Sequence, residues 1–282
     1  MARFDLNGKT VVITGASGGI GAETALAFAR RGAKLALSGR NRELLRQTRE
    51  RVQAAGAEAW VVPADVTKPE EVKDLVAKAT ELTGRLDVMV LGAGIGAVGE
   101  ASRMPAEDFR KLMEVNFWGV LHGFYAALPH FIKQGFGQFI IINSLSGKIA
   151  MPMSSNYCAS KFALRGFAEA AQIELKGKNI DLISVYPSFV DTPFQNRVMT
   201  QDYTVPKGLS KSWFGDRPEK IAGLIVNASA HRKPEVICTL YGNFGARFLP
   251  MSDILSWLFE QQAYTFARRI LRPKRATERS GT

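Results

Sequence analysis

Residues 10–28 read TVVITGASGGIGAETALAF, and this stretch decides the fold. Thr10 to Thr14 is a short β-branched, apolar run bounded by glycine, the pattern of a strand buried on both faces. Gly15, Gly18, Gly19 and Gly21 follow, and then Ile20, Ala25, Phe28 and Ala29 recur at helical spacing. A strand, a glycine-rich turn and a helix in that order make the first half of a βαβ unit. Such a turn lets backbone approach a pyrophosphate, which the unpaired N–H groups and partial positive charge of the helix N-terminus stabilise. Any tight strand-to-helix turn can use glycine, but the position after the first strand favours a dinucleotide cradle built from Gly15, Ser17, Gly19, Ile20 and Gly21.

Outward from this unit the alternation continues. KLALS (34–38), AWVVP (59–63), LDVMVLGAG (86–94), QFIIINS (138–144), DLISVYP (181–187) and EVICTL (235–240) read as further strands. Helical patterns fall between them: RELLRQTRERVQAAG, closed by Gly56, then 69–82, 106–132, 155–176 and 218–231. Several strands are apolar throughout, as a parallel sheet covered on both faces requires. The expected fold class is therefore α/β, a doubly wound, Rossmann-type parallel sheet of about seven strands with helices on both faces. One such domain spans 1–240, followed by a C-terminal helical extension over 241–282 with a basic tail.

Composition narrows the function classes. The 282 residues are 46% hydrophobic and 22% charged, ordinary for a soluble globular chain. No run approaches a membrane span, and MARFDLNGKT lacks an apolar signal core. Cys158 and Cys238 form no CxxC pair, so the expectation is a cytoplasmic protein without a disulfide framework. His122, His130 and His231 lack metal-ligand spacing, and no metal is expected. The net charge of +11 points toward nucleic acid only superficially. Between Arg268 and Thr282 there are six basic side chains against one acid, Glu278, while the cluster from Arg40 mixes in acids as a solvated helix face does. No nucleic-acid motif with interleaved aromatics accompanies them, so no nucleic-acid partner is expected.

The end of the second strand bears on which dinucleotide is bound. An acid there would bond the ribose 2′-hydroxyl of NAD. Here it reads Ser38-Gly39-Arg40-Asn41, with no acid before Glu43. A guanidinium at Arg40 can grip a 2′-phosphate in a forked contact, so NADP(H) is favoured over NAD(H), with Arg40 and Asn41 at that end. The plainer role for Arg40 is a surface arginine opening a helix.

NSLSGKIAMPMSSNYCASK (143–161) carries Ser144, Tyr157 and Lys161. Tyr157 and Lys161 stand at i and i+4, on one helix face. Bringing a phenol from pKa about 10 to about 7 requires roughly 4 kcal/mol of preference for phenolate. One ammonium about 4 Å away supplies about that at an effective dielectric near 20. With 6 tyrosines in 282 residues, YxxxK alone arises readily by chance. Its weight comes from Ser144, at the carboxyl edge of a strand, where doubly wound sheets bind ligands.

TGASGGIG, this serine and YCASK together resemble the classical short-chain dehydrogenase/reductase family, from about residue 7 to 240. The glycines also fit the family's extended branch, which usually needs a larger C-terminal domain than this length allows. The resemblance implies Tyr157 as acid/base, Lys161 as the group that holds the nicotinamide ribose and lowers the tyrosine pKa, and Ser144 as hydrogen-bond partner of the substrate oxygen. It implies that Asn116, in EVNFWG, anchors a proton relay; a buried asparagine satisfied by backbone is the alternative. Asp65 and Val66 would meet the adenine. Gly92, Ala93 and Gly94 would line the cofactor, and Pro187, Val190 and Thr192 of YPSFVDT would close over the nicotinamide. A homodimer or homotetramer is also implied. Two departures stand out: the usual NNAG reads Leu91-Gly92-Ala93-Gly94, and the usual PG reads Pro187-Ser188.

Cys158, Phe117 and Trp118 are expected to pack, and His122 and His130 to be structural or at the surface. The segment from Pro193 to Pro218 carries Phe194, Met199, Tyr203, Trp213 and Phe214, which suit an apolar ketone, aldehyde or alcohol with Phe194 against it. Those groups would equally pack the segment on itself. In the appendix, Met251, Ile254, Leu255, Leu258, Phe266 and Ile270 form a broken helical stripe, widened by Trp257, Phe259 and Tyr264. Packing on the chain's own domain or a second subunit is favoured; peripheral docking on an anionic membrane is the other reading. The leading function is an NADP(H)-dependent carbonyl reductase or the reverse dehydrogenase; the alternative is a catalytically quiet cofactor sensor or scaffold on the same fold.

Overall fold

The computed structural model describes residues 3–190, 192, 194, 198–200, 203–204, 215–239, 242, 261–263, 265 and 272–273. Seven strands form one sheet: β1 (Thr10–Thr14), β2 (Lys34–Ser38), β3 (Ala59–Val61), β4 (Val88–Leu91), β5 (Gly137–Ile142), β6 (Ile180–Tyr186) and β7 (Glu235–Ile237). Their order is β7-β6-β5-β4-β1-β2-β3, and every neighbouring pair is parallel. The chain starts in the middle and winds outward twice, so the strand order reverses beside β1. Ligands bind at such a switch point, outside the carboxyl ends of the strands.

Side chains along each strand alternate between two apolar layers. Val11, Ile13, Leu35, Leu37, Val88, Val90 and Ile140 enter one layer. Val12, Ala36, Met89, Leu91, Phe139 and Ile141 enter the other. Helices α1 (Gly19–Ala29), α2 (Arg42–Ala54) and α6 (Pro218–His231) cover the first. Helices α3 (Pro69–Thr83), α4 (106–134) and α5 (Ser155–Leu175) cover the second. α4 runs as Ala106–Met113, a π-helical stretch Glu114–Trp118, and Gly119–Gln134.

Strand ends follow the local chemistry. β3 stops at Val61, two residues short of the expected Pro63, which has no N–H for a ladder. β5 stops at Ile142, which releases Asn143 and Ser144 into a short helical turn over Leu145–Gly147. β4 stops at Leu91, and the next residues approach β1 so closely that a Cβ on Gly15 would lie 2.8 Å from the Gly92 carbonyl oxygen. A Cβ on Gly21 would lie 2.2 Å from the Gly15 carbonyl oxygen. Gly21→Ala is therefore expected to destabilise the fold by about 2 kcal/mol, a typical cost of overpacking. In a thermal melt that is a loss of roughly 5 °C.

Trp118 corrects the expectation of a core residue. Successive helical side chains point about 100° apart. Phe117 packs toward the second layer, and Trp118 is left 45% exposed. Three short strand pairs had no signature in the sequence. Gly96–Val98 pairs with Val198–Thr200 and Phe189–Val190 with Gly215–Asp216, both in parallel. Tyr203–Thr204 pairs antiparallel with Arg272–Pro273, which brings that part of the appendix back onto the segment after β6. The broken helical stripe of the appendix (Met251, Ile254, Leu255, Leu258, Phe266, Ile270) and its flanking aromatics lie outside the described residues, as do Trp213 and Phe214. Among the described residues, no helix is long and apolar enough to cross a membrane.

Candidate active site

A cleft of about 500 Å³ runs along the carboxyl ends of the strands. At one end lies the turn between β1 and α1. Gly18, the residue that opens α1, makes no side-chain cap hydrogen bond, and a Cβ built on it would meet nothing within 4 Å. The helix N-terminus is thus free to face an anion, which fits a pyrophosphate. Ser17, Gly39 and Arg40 line the next part of the cleft. Asn41 does not. Its side chain accepts from the Leu44 N–H at 3.0 Å as the N-cap of α2. Asp65 and Val66 do line it. Burial acts to raise the Asp65 pKa, yet the N–H and hydroxyl of Thr67, helped by Arg40 and Lys68, hold the carboxyl below its usual value.

The departure at residues 91–94 has a structural explanation. Leu91 is fully buried in the second layer, seated against Gly123, so no polar side chain is missing from the cleft at that position. Thr14 does the holding instead. Its hydroxyl donates to the Val90 carbonyl at 3.2 Å and accepts from the Gly92 and Ala93 N–H groups at 3.1 and 3.4 Å. Sequence reasoning treated Thr14 only as the end of a strand.

At the other end Ser144, Tyr157, Lys161, Pro187, Val190, Thr192 and Phe194 all line the same cleft. The turn after Ser144 is pinned twice. The Leu145 N–H donates to the Pro187 carbonyl at 2.8 Å, and the Lys148 ammonium pairs with Glu235 at 2.7 Å while lying 4.3 Å from the Tyr186 ring centroid. Nothing in the sequence marked Lys148. Leu44, Gln47, Thr48 and Arg51 of α2 also line the cleft unanticipated; their spacing is the signal that would have found them.

Burial pushes the Tyr157 phenol up to about 12, while its hydrogen bond with Ser144 works in the opposite direction. Burial also pulls Lys161 down to about 8. The ammonium lies 5.8 Å from the Tyr157 ring centroid and donates to the Ile142 carbonyl at 3.1 Å. Burial thus acts on both groups against the preference for phenolate on which the four-residue spacing rests.

Asn116 is fully buried behind the cleft rather than on its lining. Its amide accepts from the Ile95 N–H at 2.9 Å and donates to the Ile95 carbonyl at 2.9 Å and the Ser160 hydroxyl at 3.1 Å. The side chain is thus the backbone-satisfied asparagine of the second reading, set in the π-helical stretch of α4. His122 is structural, its Nδ1 2.8 Å from the Val66 carbonyl. Cys158 packs beside Met151, whose N–H reaches its sulfur at 3.3 Å.

Comparison with known proteins agrees with this arrangement. The family model described as short chain dehydrogenase matches residues 9–202. An uncharacterized oxidoreductase of Listeria monocytogenes is 34% identical over 227 residues, covering 79% of this chain and 91% of that one. An 11-beta-hydroxysteroid dehydrogenase of Pinus massoniana is 36% identical over 203 residues, covering 70% and 56%. Among solved structures, a short chain dehydrogenase/reductase from Burkholderia phymatum in complex with NAD superposes with TM-score 0.80 at 26% identity, over 90% of this chain and 96% of that one. An alcohol dehydrogenase from Thermococcus sibiricus complexed with 5-hydroxy-NADP gives 0.71 at 30% identity, over 81% and 95%. With its 3-2-1-4-5-6-7 sheet, its glycine turn and its Ser-Tyr-Lys cleft, the chain belongs to the classical short-chain dehydrogenase/reductase family of oxidoreductases.

Proposed function

We propose that the protein is an NADP(H)-dependent oxidoreductase that interconverts an apolar ketone or aldehyde and the corresponding alcohol. The observation that carries this reading is that Ser144, Tyr157 and Lys161 share one cleft with the glycine turn. In this reading the Gly15–Gly21 turn holds the pyrophosphate and Arg40, with Ser17, takes the 2′-phosphate. Asp65 and Val66 flank the adenine. Lys161 holds the nicotinamide ribose, and Pro187, Val190 and Thr192 flank the nicotinamide. The nicotinamide, when bound, supplies or receives the hydride. Tyr157 donates the phenolic proton to the carbonyl oxygen during reduction, and Ser144 hydrogen-bonds that oxygen. Asn116 keeps the Ile95 backbone and α5 in register around this centre, and a role in relaying the proton belongs to the same proposal.

The wall near Tyr157 supports an apolar substrate: Ile95, Ala97 and Leu112 form a cluster against which Met104, Val115, Met199 and Tyr157 pack. The pH dependence follows from the two shifted groups. A phenol near 12 keeps its proton at neutral pH, so it can serve as the acid for reduction but not, without ionising, as the base for alcohol oxidation. Lys161 loses its proton as pH rises through about 8. The kcat/KM for reduction should therefore hold through the neutral range and fall above about 8, while that for oxidation climbs with pH. Stopped-flow or steady-state profiles in both directions check this.

A homo-oligomer is also proposed. Trp118, Tyr125 and Ile132 recur every seventh residue on α4 and are exposed, as are Phe162 and Ile173 on α5. Both cysteines are free and buried, which suits a reducing compartment. The test of the function is NADPH consumption, with NADH alongside, over a size-graded panel of apolar ketones and aldehydes. Turnover confined to NADPH supports the reading. Binding of NADPH with no turnover anywhere in the panel favours the sensing role instead.

A further inference from the structure

We propose that Gly96 is a specificity-determining residue of the carbonyl site, acting through the ring of Phe194. The inference rests on the carbonyl-reductase reading above. Phe194 lines the cleft with its ring centroid 6.4 Å from that of Tyr157, so a substrate held by the tyrosine lies beside it. The ring is seated on Gly96, where a Cβ would come within 3.0 Å of Phe194 Cε1 and 3.3 Å of its Cζ. The same Cβ would stand 3.0 Å from Cγ2 of Val198.

Three restraints decide which way the ring moves when that seat is filled. Val198 is the direct partner of Gly96 in the parallel pair of Gly96–Val98 with Val198–Thr200, so the strand cannot slide away alone. The Phe194 N–H donates to the Thr192 hydroxyl at 3.3 Å. Thr192 in turn sits over the dinucleotide turn, where a Cβ on Gly19 would meet its Cβ and methyl at 3.1 Å. Residues 192, 194 and 198 are thus each held by a neighbour, and the soft degree of freedom is the ring. A methyl on residue 96 drives it toward Tyr157 and narrows the space for the larger carbonyl substituent. Gly96 itself is on the wall behind the ring and outside the cleft lining, so the effect reaches the substrate only through Phe194.

The experiment compares wild type, Gly96→Ala, Phe194→Ala and the double variant, with kcat/KM measured for a methyl ketone and for an aryl or cyclic ketone, and NADPH Kd by fluorescence. Gly96→Ala is expected to lower the large-to-small kcat/KM ratio at least about tenfold, the scale of one methylene in an apolar pocket. Phe194→Ala should raise the ratio, and the double variant should match Phe194→Ala, because the two positions act through one contact. NADPH Kd should stay with wild type in Gly96→Ala, a split that general loss of folding would not produce. An unchanged ratio in Gly96→Ala, or a double variant whose effects simply add, overturns the inference while leaving the function standing. A wild type that reduces no carbonyl in the panel overturns the function and this inference with it.

Discussion

Replacing Tyr157 by phenylalanine is expected to lower kcat/KM for carbonyl reduction by about a thousandfold or more, within the range that general acid catalysis supplies. The phenol lines the cleft and is hydrogen-bonded with Ser144, and its pKa is pushed up to about 12 by burial. It therefore carries its proton at neutral pH, and removing the oxygen removes the acid. The ring that remains keeps its place against Ile95, Ala97 and Leu112 and its approach to Phe194, so the cleft holds its shape. NADPH affinity should consequently change little, because the glycine turn, Arg40 and Lys161 are untouched. Steady-state kinetics and a fluorescence titration of NADPH, run on the same preparations, separate the two effects. Retained turnover would contradict the assignment of Tyr157 as the acid.

Gly39→Asp is expected to reverse the cofactor preference. A Cβ at residue 39 has room, with its nearest neighbours the Ser17 hydroxyl oxygen and Cβ at 3.5 and 3.6 Å and Leu45 at 3.7 Å. The variant should therefore fold as the parent does. Its carboxylate would stand beside Ser17 and Arg40, repelling a 2′-phosphate and offering a ribose 2′-hydroxyl an acceptor. Losing a charge-assisted contact costs about 1.5–3 kcal/mol, so NADPH affinity should fall at least tenfold to a hundredfold before repulsion is added. NADH should be used as well or better. Solved relatives bind NAD in one case and an NADP derivative in another, so the family does not choose between them, and the variant tests whether the residues after β2 do. The ratio of kcat/KM for NADPH over NADH, measured in wild type and variant, is the test. A ratio above one in the parent that survives the substitution would place the preference elsewhere in the cleft.

The strand series was legible because each strand is its own signal. A run such as Val11-Val12-Ile13 is apolar in both parities, and only a strand covered on both faces uses such a run. The dinucleotide turn was legible for the same reason: GASGGIG is contiguous, and the close approaches at Gly15 and Gly21 involve backbone a few residues away or on the adjacent strand. Ser144, Tyr157 and Lys161 were found from their offsets along the chain, and the structure brings all three to one cleft. The cap at Asn41 was overlooked because an asparagine before a helix is both a cofactor neighbour by position and an N-cap by chemistry, and its side chain caps α2 at 3.0 Å. Trp118 was misread because apolar character says that a side chain prefers burial, without saying whether its helix face has a partner within the same chain.

By itself, then, the sequence determined the sheet, the glycine turn and the family, since all three are written in short segments with local periodicity. Tertiary structure decided the rest. That Tyr157 is driven to about 12 and Lys161 to about 8 follows from desolvation, which depends on how much of the surrounding protein excludes water and not on the four-residue spacing between them. That Thr14 holds the Gly92 and Ala93 N–H groups, and that Phe194 rests on Gly96, follows from packing between segments about eighty to a hundred residues apart, and no local pattern encodes such a contact.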